Sequence, residues 1–448
     1  MNGLLQAWEN TVRQRGSATA VTQASDGSAC TFRELNARAK HWLAAQTSAS
    51  GTSLAGRAVV FAAPNGTGWL EIFIGLLRAG AVIVPLDAGE PPAAQRLVAA
   101  SLRAGFWWDG TRLVALAGAR RFRSHAPCLI KLTSGSTGRP RPLPFTAAQL
   151  LADERQVAAT MGLRPRDVNY ALIPFGHSYG LGNLTLPLLV RGLPVVCGAT
   201  PLPHAIAADF VRWQPTVFPS VPAVWNALAA SEVPPADLAS LRLAISAGAP
   251  LPPEVARRYA ARFGRRLHNF YGSSETGGIA YDRTGSATLA GGVGQPLRGV
   301  TIAMIRGERI AVSSAAVFTL GNRRARGRFG RWTPADRATI DHRGFVTLLG
   351  RRGVIVKIAG RRVNLGEVTS RLRQVAGVRE AWVDIGPGPN PALGAALATE
   401  RSIAELRAEL QADTASWKIP KKWTVLPSLP LTARGKVDTR ELRARVFG

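Results

Sequence analysis

Apolar and polar positions along the chain fall into short apolar runs and amphipathic stretches that follow one another as strand, helix, strand. Residues 59–63 are a continuous apolar run, and Trp69, Ile72, Phe73, Leu76 and Leu77 follow at the i, i+3, i+4, i+7, i+8 spacing of one helix face. Gly80 ends that helix, and residues 81–86 are a second apolar strand. Two strands joined through a helix pair in parallel. Thr146 and Gln149 form a capping box ahead of a helix whose apolar face is Leu150, Leu151, Val157 and Met161. Beyond it, residues 169–175 read as a strand, 181–190 as a helix interrupted by Pro187, and 193–197 as a strand. The strand-then-helix order returns at 215–218 with 222–230, and at 241–246 with 252–263. This alternation predicts an α/β fold with doubly wound sheets and ligands at the carboxyl ends of the strands.

Near Arg351 the pattern changes to shorter, self-contained elements: 365–375 helical, 379–385 and 393–398 extended, 403–412 helical. The chain is therefore expected to divide into a large domain over 1–350 and a small α+β domain over 351–448.

Residues 129–132 are an apolar strand start that runs into Thr133, Ser134, Gly135, Ser136, Thr137 and Gly138, with Arg139 and Arg141 at the rim. Glycines let the backbone bring N–H groups close to a ligand, and the hydroxyls donate to phosphate oxygens. The stretch reads as a phosphate cradle, although a Ser/Gly surface turn fits the loop taken alone. The G-x-x-x-x-G-K-[ST] spacing of P-loop NTPases is absent.

Four stretches in order, Thr-Ser-Gly-Ser-Thr-Gly-Arg-Pro-Arg at 133–141, Tyr-Gly-Ser-Ser-Glu-Thr-Gly at 271–277, Gly-Arg-Arg-Gly-Val-Ile-Val-Lys-Ile-Ala-Gly at 350–360 and Leu-Thr-Ala-Arg-Gly-Lys-Val-Asp at 431–438, resemble the motifs of the adenylate-forming superfamily. That superfamily includes acyl- and aryl-CoA synthetases, peptide-synthetase adenylation domains and beetle luciferases. The resemblance implies a large N-terminal domain with mixed sheets, somewhat trimmed between Leu86 and the phosphate motif, and a mobile C-terminal domain. It also implies the reaction: an acid and ATP give acyl-AMP and pyrophosphate, and a thiol then displaces AMP.

Residue by residue, the resemblance makes Glu275 the metal-linked carboxylate for Mg2+ and Lys436 the catalytic lysine that bridges the acid and the α-phosphate. A compact ammonium suits the latter place better than a guanidinium. It makes Gly248 and Ala249 part of a glycine-rich adenine wall, Tyr271 a stacking ring and Asn269 the partner of the exocyclic amine. Ser274 keeps the hydroxyl of the family's usual threonine. Asp336 stands for the ribose-binding aspartate, in a Thr-Pro-Ala-Asp stretch one residue longer than the family's Thr-Gly-Asp, and Arg351 for the arginine that approaches ribose and phosphates. Residues 174–180 resemble the gate of the acyl pocket, with His177 as the candidate gate, and Gly272 and Ser273 join Gly248 in contacting the acid. Three positions depart from the family: Arg141 for lysine, Pro142 for glycine, and Gly353 for a charged hinge residue.

Residues 168–208 contain no Asp or Glu, whereas adenylation domains that take α-amino acids place an aspartate here to pair the amine. The expected substrate is an aryl or fatty carboxylic acid. The expected acceptor is coenzyme A or a separate acyl carrier protein.

Composition adjusts this picture in few places. With 448 residues, 46% of them hydrophobic, the chain can bury a large core. The absence of a basic-then-apolar leader and of a long apolar run points to a cytoplasmic protein without a membrane span. Cys30, Cys128 and Cys197 are too few and too far apart for a disulfide framework or zinc set.

The net charge is +28, and only seven of 56 basic residues are lysine: Lys40, Lys131, Lys357, Lys418, Lys421, Lys422 and Lys436. Codon bias accounts for an arginine excess of this kind, so it is the lysines that stand out. Lys418, Lys421 and Lys422, with Arg361 and Arg362, cluster in the C-terminal region and tilt the expected acceptor towards an acidic carrier protein. The reading from another class is a catalytically weak fold serving as a basic binding protein for nucleic acid or an acidic partner. No nucleic-acid motif accompanies the charge, which is spread along the chain.

Overall fold

The computed structural model describes residues 2–50, 53–122, 127–133, 141–319, 330–351, 355–358, 361–387, 392–414, 416–432 and 437–448. It divides into two compact units. The first comprises Met1–Ala303, Ala311–Thr333 and Ile340–Val346; the second comprises Met304–Ile310, Pro334–Thr339 and Thr347–Gly448.

Two sheets organise the first unit. In the six-stranded sheet, Ala58–Ala62 lies between Val82–Leu86 and Phe106–Trp108 in parallel, and Val82–Leu86 pairs in parallel with Leu129–Thr133. Strands 58–62 and 82–86 are almost wholly buried, which is why they read as continuous apolar runs rather than alternating ones. Thr67–Arg78 connects them as the spacing predicts, and Gly80 follows its end at φ +67°.

The nine-stranded sheet places Gly277–Tyr281, Leu267–Ser273, Leu243–Ser246, Val217–Ser220, Asn169–Ala171 and Val195–Cys197 in spatial order. From Leu267–Ser273 to Val195–Cys197 the neighbours run parallel, and Gly277–Tyr281 returns antiparallel. Phe210, Phe218, Trp225, Leu228 and Tyr259 pack between this sheet and its covering helices. Both sheets are thus mixed, parallel inside and antiparallel at an edge, as the β-α alternation requires.

Two elements differ from expectation. Pro187 does not break its helix: Ser178–Gly180, a π-segment Leu181–Thr185 and Leu186–Arg191 run on continuously. The widened turn just before the proline absorbs the missing N–H donor and ring clash. The helix Ala147–Met161 has the predicted capping box, but it buries Gln149, Asp153, Glu154, Gln156 and Thr160 as well as its apolar face.

In the second unit, Val378–Ile385, Leu393–Thr399 and Lys422–Leu426 form a three-stranded sheet, antiparallel then parallel. Leu365, Val368 and Leu372 of the helix Leu365–Gln374 pack with Leu406 and Leu410 of Ile403–Asp413 and with the strand residues Leu393, Ala395 and Leu397. This small unit has an α+β core of its own. Among the described residues no helix is long and apolar enough to cross a membrane.

Candidate functional site

The carboxyl ends of three parallel strands meet in register: Ser220 pairs with Ser246, and Ser246 with Asn269. In open α/β sheets ligands bind in the crevice outside such ends. Gly248 follows immediately, at φ +88°. A side chain there would be strained, so the turn that carries Gly248 and Ala249 requires glycine.

Asn269 donates from Nδ2 to the Gly292 carbonyl at 2.9 Å, and its own N–H donates to Thr288 Oγ1 at 2.9 Å. Holding the amide nitrogen on Gly292 turns Oδ1 to the other side, and an acceptor is what an exocyclic amine requires. The hydroxyls of Ser220 and Ser246 are buried and have no hydrogen-bond partner among the described residues. Two such groups beside Asn269 leave polar capacity for a ligand or water to satisfy.

The strand Leu267–Ser273 is longer than its apolar start suggests and runs through Tyr271, Gly272 and Ser273, with a bulge between Tyr271 and Gly272. Ser274, Glu275 and Thr276 form the turn of a hairpin closed by Gly277–Tyr281. Tyr271 is buried, Gly272 is exposed and Glu275 half-buried at the turn. Ser273 and Thr276 share a hydrogen bond of 3.0 Å between hydroxyls, and Phe318 N–H donates to the Glu275 carbonyl at 3.0 Å. The turn presents Glu275 while its backbone is held from both sides.

Against this turn lies the segment that carries His177. Ser178 Oγ donates to Ser274 Oγ at 3.0 Å. His177 accepts the Tyr179 N–H on Nδ1 at 3.4 Å, capping the short helix that follows. Buried Tyr179 reaches the carbonyls of Ile245 at 3.2 Å and Ser220 at 3.4 Å, at the ends of the parallel strands.

Asn65, which the sequence pattern did not single out, clamps the segment from the other sheet. Its Nδ2 donates to the Ile173 carbonyl at 2.9 Å, and its Oδ1 accepts the Phe175 N–H at 2.8 Å. Its position just past an apolar strand end is the only signal it carries in the sequence.

Thr133 ends the strand Leu129–Thr133, and its register partner on the returning strand is Arg141. The guanidinium of Arg141 lies 5.3 Å from the Trp332 ring centroid, and Pro142 pairs with Leu132. Ser134, Gly135, Ser136, Thr137 and Gly138 lie outside the described residues, as do Lys436 and Gly353. In the second unit, Asp336 opens the strand Asp336–Ile340 and is buried, and Arg351 ends Val346–Arg351. The first unit thus brings together Asn269, Tyr271, Gly272, Ser273, Ser274, Glu275, Gly248, Ala249 and the His177 segment.

Two charged residues behind the hairpin were not assigned a role from the sequence. Asp153 accepts the Gly278 N–H on Oδ1 at 2.9 Å, and Lys131 sits in the phosphate-motif strand with its ammonium 4.4 Å from the Phe145 ring centroid. Burial pushes the Lys131 ammonium below its ordinary range, opposed by the negative charges of Asp153 and Glu275. Burial pushes the Asp153 carboxyl up, opposed by Lys131 and by the Gly278 N–H. Lys131 was visible as a rare lysine, but only the fold buries it within electrostatic reach of two carboxylates.

Among the described residues no three His, Cys, Asp or Glu side chains cluster as a metal cage. One presented carboxylate, Glu275, suits Mg2+ that takes most of its oxygens from phosphate and water.

Residues 8–108 and 108–309 match the family of AMP-binding enzymes. The chain is 29% identical to a feruloyl-CoA synthase of Amycolatopsis sp, over 97% of this chain and 98% of that protein. It is 30% identical to a benzoate–CoA ligase of Thauera aromatica, over 81% of this chain and 75% of that one. Two solved structures share the fold: ATP-bound MatB from Rhodopseudomonas palustris, with TM-score 0.80 and 22% identity over 99% of both chains, and the anthranilate CoA ligase AuaEII in complex with anthranoyl-AMP, with TM-score 0.77 and 21% identity over 100% of this chain and 97% of that one. The chain belongs to the AMP-binding enzyme family, as an ATP-dependent, AMP-forming ligase of the adenylate-forming superfamily.

Proposed function

We propose that this ligase activates an aromatic carboxylic acid and hands the acyl group to coenzyme A. The observation that carries the reading is the hydrogen bond from Ser178 to Ser274, which joins the acid-gate segment to the turn bearing Glu275. It supports an adenylation site in which the acid half and the nucleotide half adjoin. The matched relatives named for feruloyl-CoA and benzoate–CoA support an aryl acid, and the lack of Asp or Glu over residues 168–208 argues against an α-amine on it.

In this reading the acid lies along residues 174–180 with His177 at the gate, and the adenine lies against Gly248, Ala249 and Tyr271 with Asn269 Oδ1 accepting its amine. Gly272 and Ser273 line the acid, and Thr133 with residues 134–138 cradles the phosphates. Glu275 is the side chain that would hold Mg2+. When bound, that ion would supply positive charge to offset the charge of the phosphates. Asp336 meets the ribose; residues from about 351 onward act as the mobile domain, in which Arg351 approaches the ribose and phosphates and Lys436 reaches the acid carboxylate and α-phosphate for the first step only.

Coenzyme A is the better acceptor for a physical reason as well. Of the lysines that tilted the sequence towards a carrier protein, Lys418 is paired with Glu367 at 2.7 Å. Less free charge is left there to steer an acidic carrier.

Pyrophosphate exchange into ATP, screened over aryl and fatty acids, tests the first step, and exchange confined to fatty acids would overturn the aryl assignment. Acyl transfer to coenzyme A and to an acidic holo-carrier across a salt series tests the second. A carrier rate that dominates and collapses as the Debye length shortens from ~10 Å at 0.1 M would replace coenzyme A by the carrier.

A further inference from the structure

We propose that Asp153 and Lys131 form a buried charge couple that positions the Glu275 turn for the ATP step, acting as positioning residues. The proposal rests on the adenylation reading above and adds to it two residues from elements on either side of the hairpin.

Asp153 lies in the middle of the helix Ala147–Met161, where a carboxylate with only 4% of its surface exposed is unexpected. Its Oδ1 accepts the Gly278 N–H at 2.9 Å. Gly277, just before, has φ +71°, and a Cβ built there would fall 2.2 Å from the same oxygen. The carboxylate fills the space that this glycine leaves open. On its other side, Asp153 Oδ2 is 3.5 Å from a Cβ built on Gly182, inside the π-segment behind the acid gate. One carboxylate therefore braces the closing end of the Glu275 turn and faces Gly182 of the π-segment.

A lone buried carboxylate costs several kcal/mol of solvation and would take up a proton or draw in water. Lys131 supplies the compensating charge. It is also 4% exposed, two residues before Thr133 in the phosphate-motif strand, and it feels both Asp153 and Glu275. The ammonium therefore lets two carboxylates coexist on neighbouring elements. Removing it leaves two like charges repelling across the turn, which pushes Glu275 away from its presented position; removing Asp153 frees Lys131 to draw Glu275 inward. Either loss displaces the carboxylate on which Mg2+-nucleotide depends, while the thiol step, which begins after pyrophosphate has left, does not use it.

The test uses the full chain with Lys131→Met, Asp153→Asn and the double variant. Three quantities are read: the dissociation constant of α,β-methylene-ATP against Mg2+ concentration, pyrophosphate exchange, and the thiol step from preformed acyl-AMP. Each single variant is expected to weaken Mg2+-dependent analogue binding and exchange by on the order of tenfold or more, since breaking a buried pair strands a charge. The double variant is expected to lose less than the product of the two, because no buried charge is left alone. The thiol step is expected to stay near the parent rate. Equal losses in both half-reactions, unchanged analogue binding, or losses that simply multiply would overturn the proposal. If a single variant does not fold, the double variant decides, and parent-like binding and exchange in it would overturn the couple. A parent enzyme that binds the analogue but exchanges with no acid would sink the adenylation reading instead, and analogue binding would still decide the couple.

Discussion

The hydroxyl of Ser178 lies 3.0 Å from that of Ser274, so one hydrogen bond ties the segment that carries His177, the proposed acid gate, to the turn that carries Glu275. A part-buried hydroxyl pair of this kind contributes about 0.5–1.5 kcal/mol. Ser178→Ala and Ser274→Ala are each expected to lower kcat/KM for the acid by a few-fold, and the double variant by little more than either. Ser274→Thr keeps the hydroxyl and should stay near the parent value. Steady-state kinetics of the four variants check this; losses that multiply would mean that the hydroxyls act separately.

Gly277 and Gly264 have nearly the same backbone conformation, φ +71° and +64°, but very different surroundings. A Cβ at Gly264 meets nothing within 4 Å, whereas one at Gly277 falls inside the Asp153 carboxylate. Gly264→Ala should therefore cost only the left-handed strain, about 1 kcal/mol of stability, with exchange unaffected. Gly277→Ala should abolish exchange through a displaced turn. Thermal melts and exchange rates for the pair separate conformational strain from collision.

Burial pushes the His268 imidazole below its ordinary 6.5, partly offset by the Asp282 carbonyl 2.8 Å from Nδ1. As pH falls through 6.5 the unfolded chain takes up this proton before the folded one does, so acidification favours unfolding. This contribution is fully present above pH 6.5 and is lost as pH falls towards the depressed folded value. His268→Gln should flatten the fall of Tm between about pH 6.5 and 5 relative to the parent. A parallel fall in both proteins would assign the acid sensitivity to other groups.

All three cysteines are buried, and burial raises each thiol, Cys128 and Cys197 to about 12. Thiolates are the reactive form, so a thiol reagent at pH 8 should label none of them quickly in the folded enzyme and all three once denaturant is added. Cys30 is expected to react first. Rapid native labelling of Cys128 or Cys197 would contradict the packing around them.

Lys436→Ala is expected to remove pyrophosphate exchange by more than about a hundredfold while leaving thiol transfer from preformed acyl-AMP within a few-fold. The expectation follows from the proposed use of Lys436 in the first step alone. Equal loss in both half-reactions would contradict that role.

The elements of the fold were legible wherever burial is simple. Strands 58–62 and 82–86 are buried on both faces and read as apolar runs; the helix Thr67–Arg78 buries one face and reads as a period of 3.6. The capping box at Thr146 and the glycine at 80 mark ends because their hydrogen bonds and backbone angles are local. The motif at 271–277 was legible too, since the turn proposed to carry the metal-linked carboxylate needs particular residue types at short spacing.

What stayed hidden depends on residues far apart in the chain. Asp153 and Glu154 carry no local signal of burial in the sequence, yet both are buried, one against the Gly278 N–H, the other against Arg191. Asn65 and Lys131 carry no local pattern, because their partners lie 110 and 22 positions away, at Phe175 and Asp153. The length of the hairpin around Glu275 and the smooth passage past Pro187 were also settled by neighbours, through cross-strand bonding and a π-turn. Short-range chemistry determined which residues were candidates; the tertiary structure decided which charges are buried together, because a buried charge is tolerated only where a distant part of the chain brings its partner.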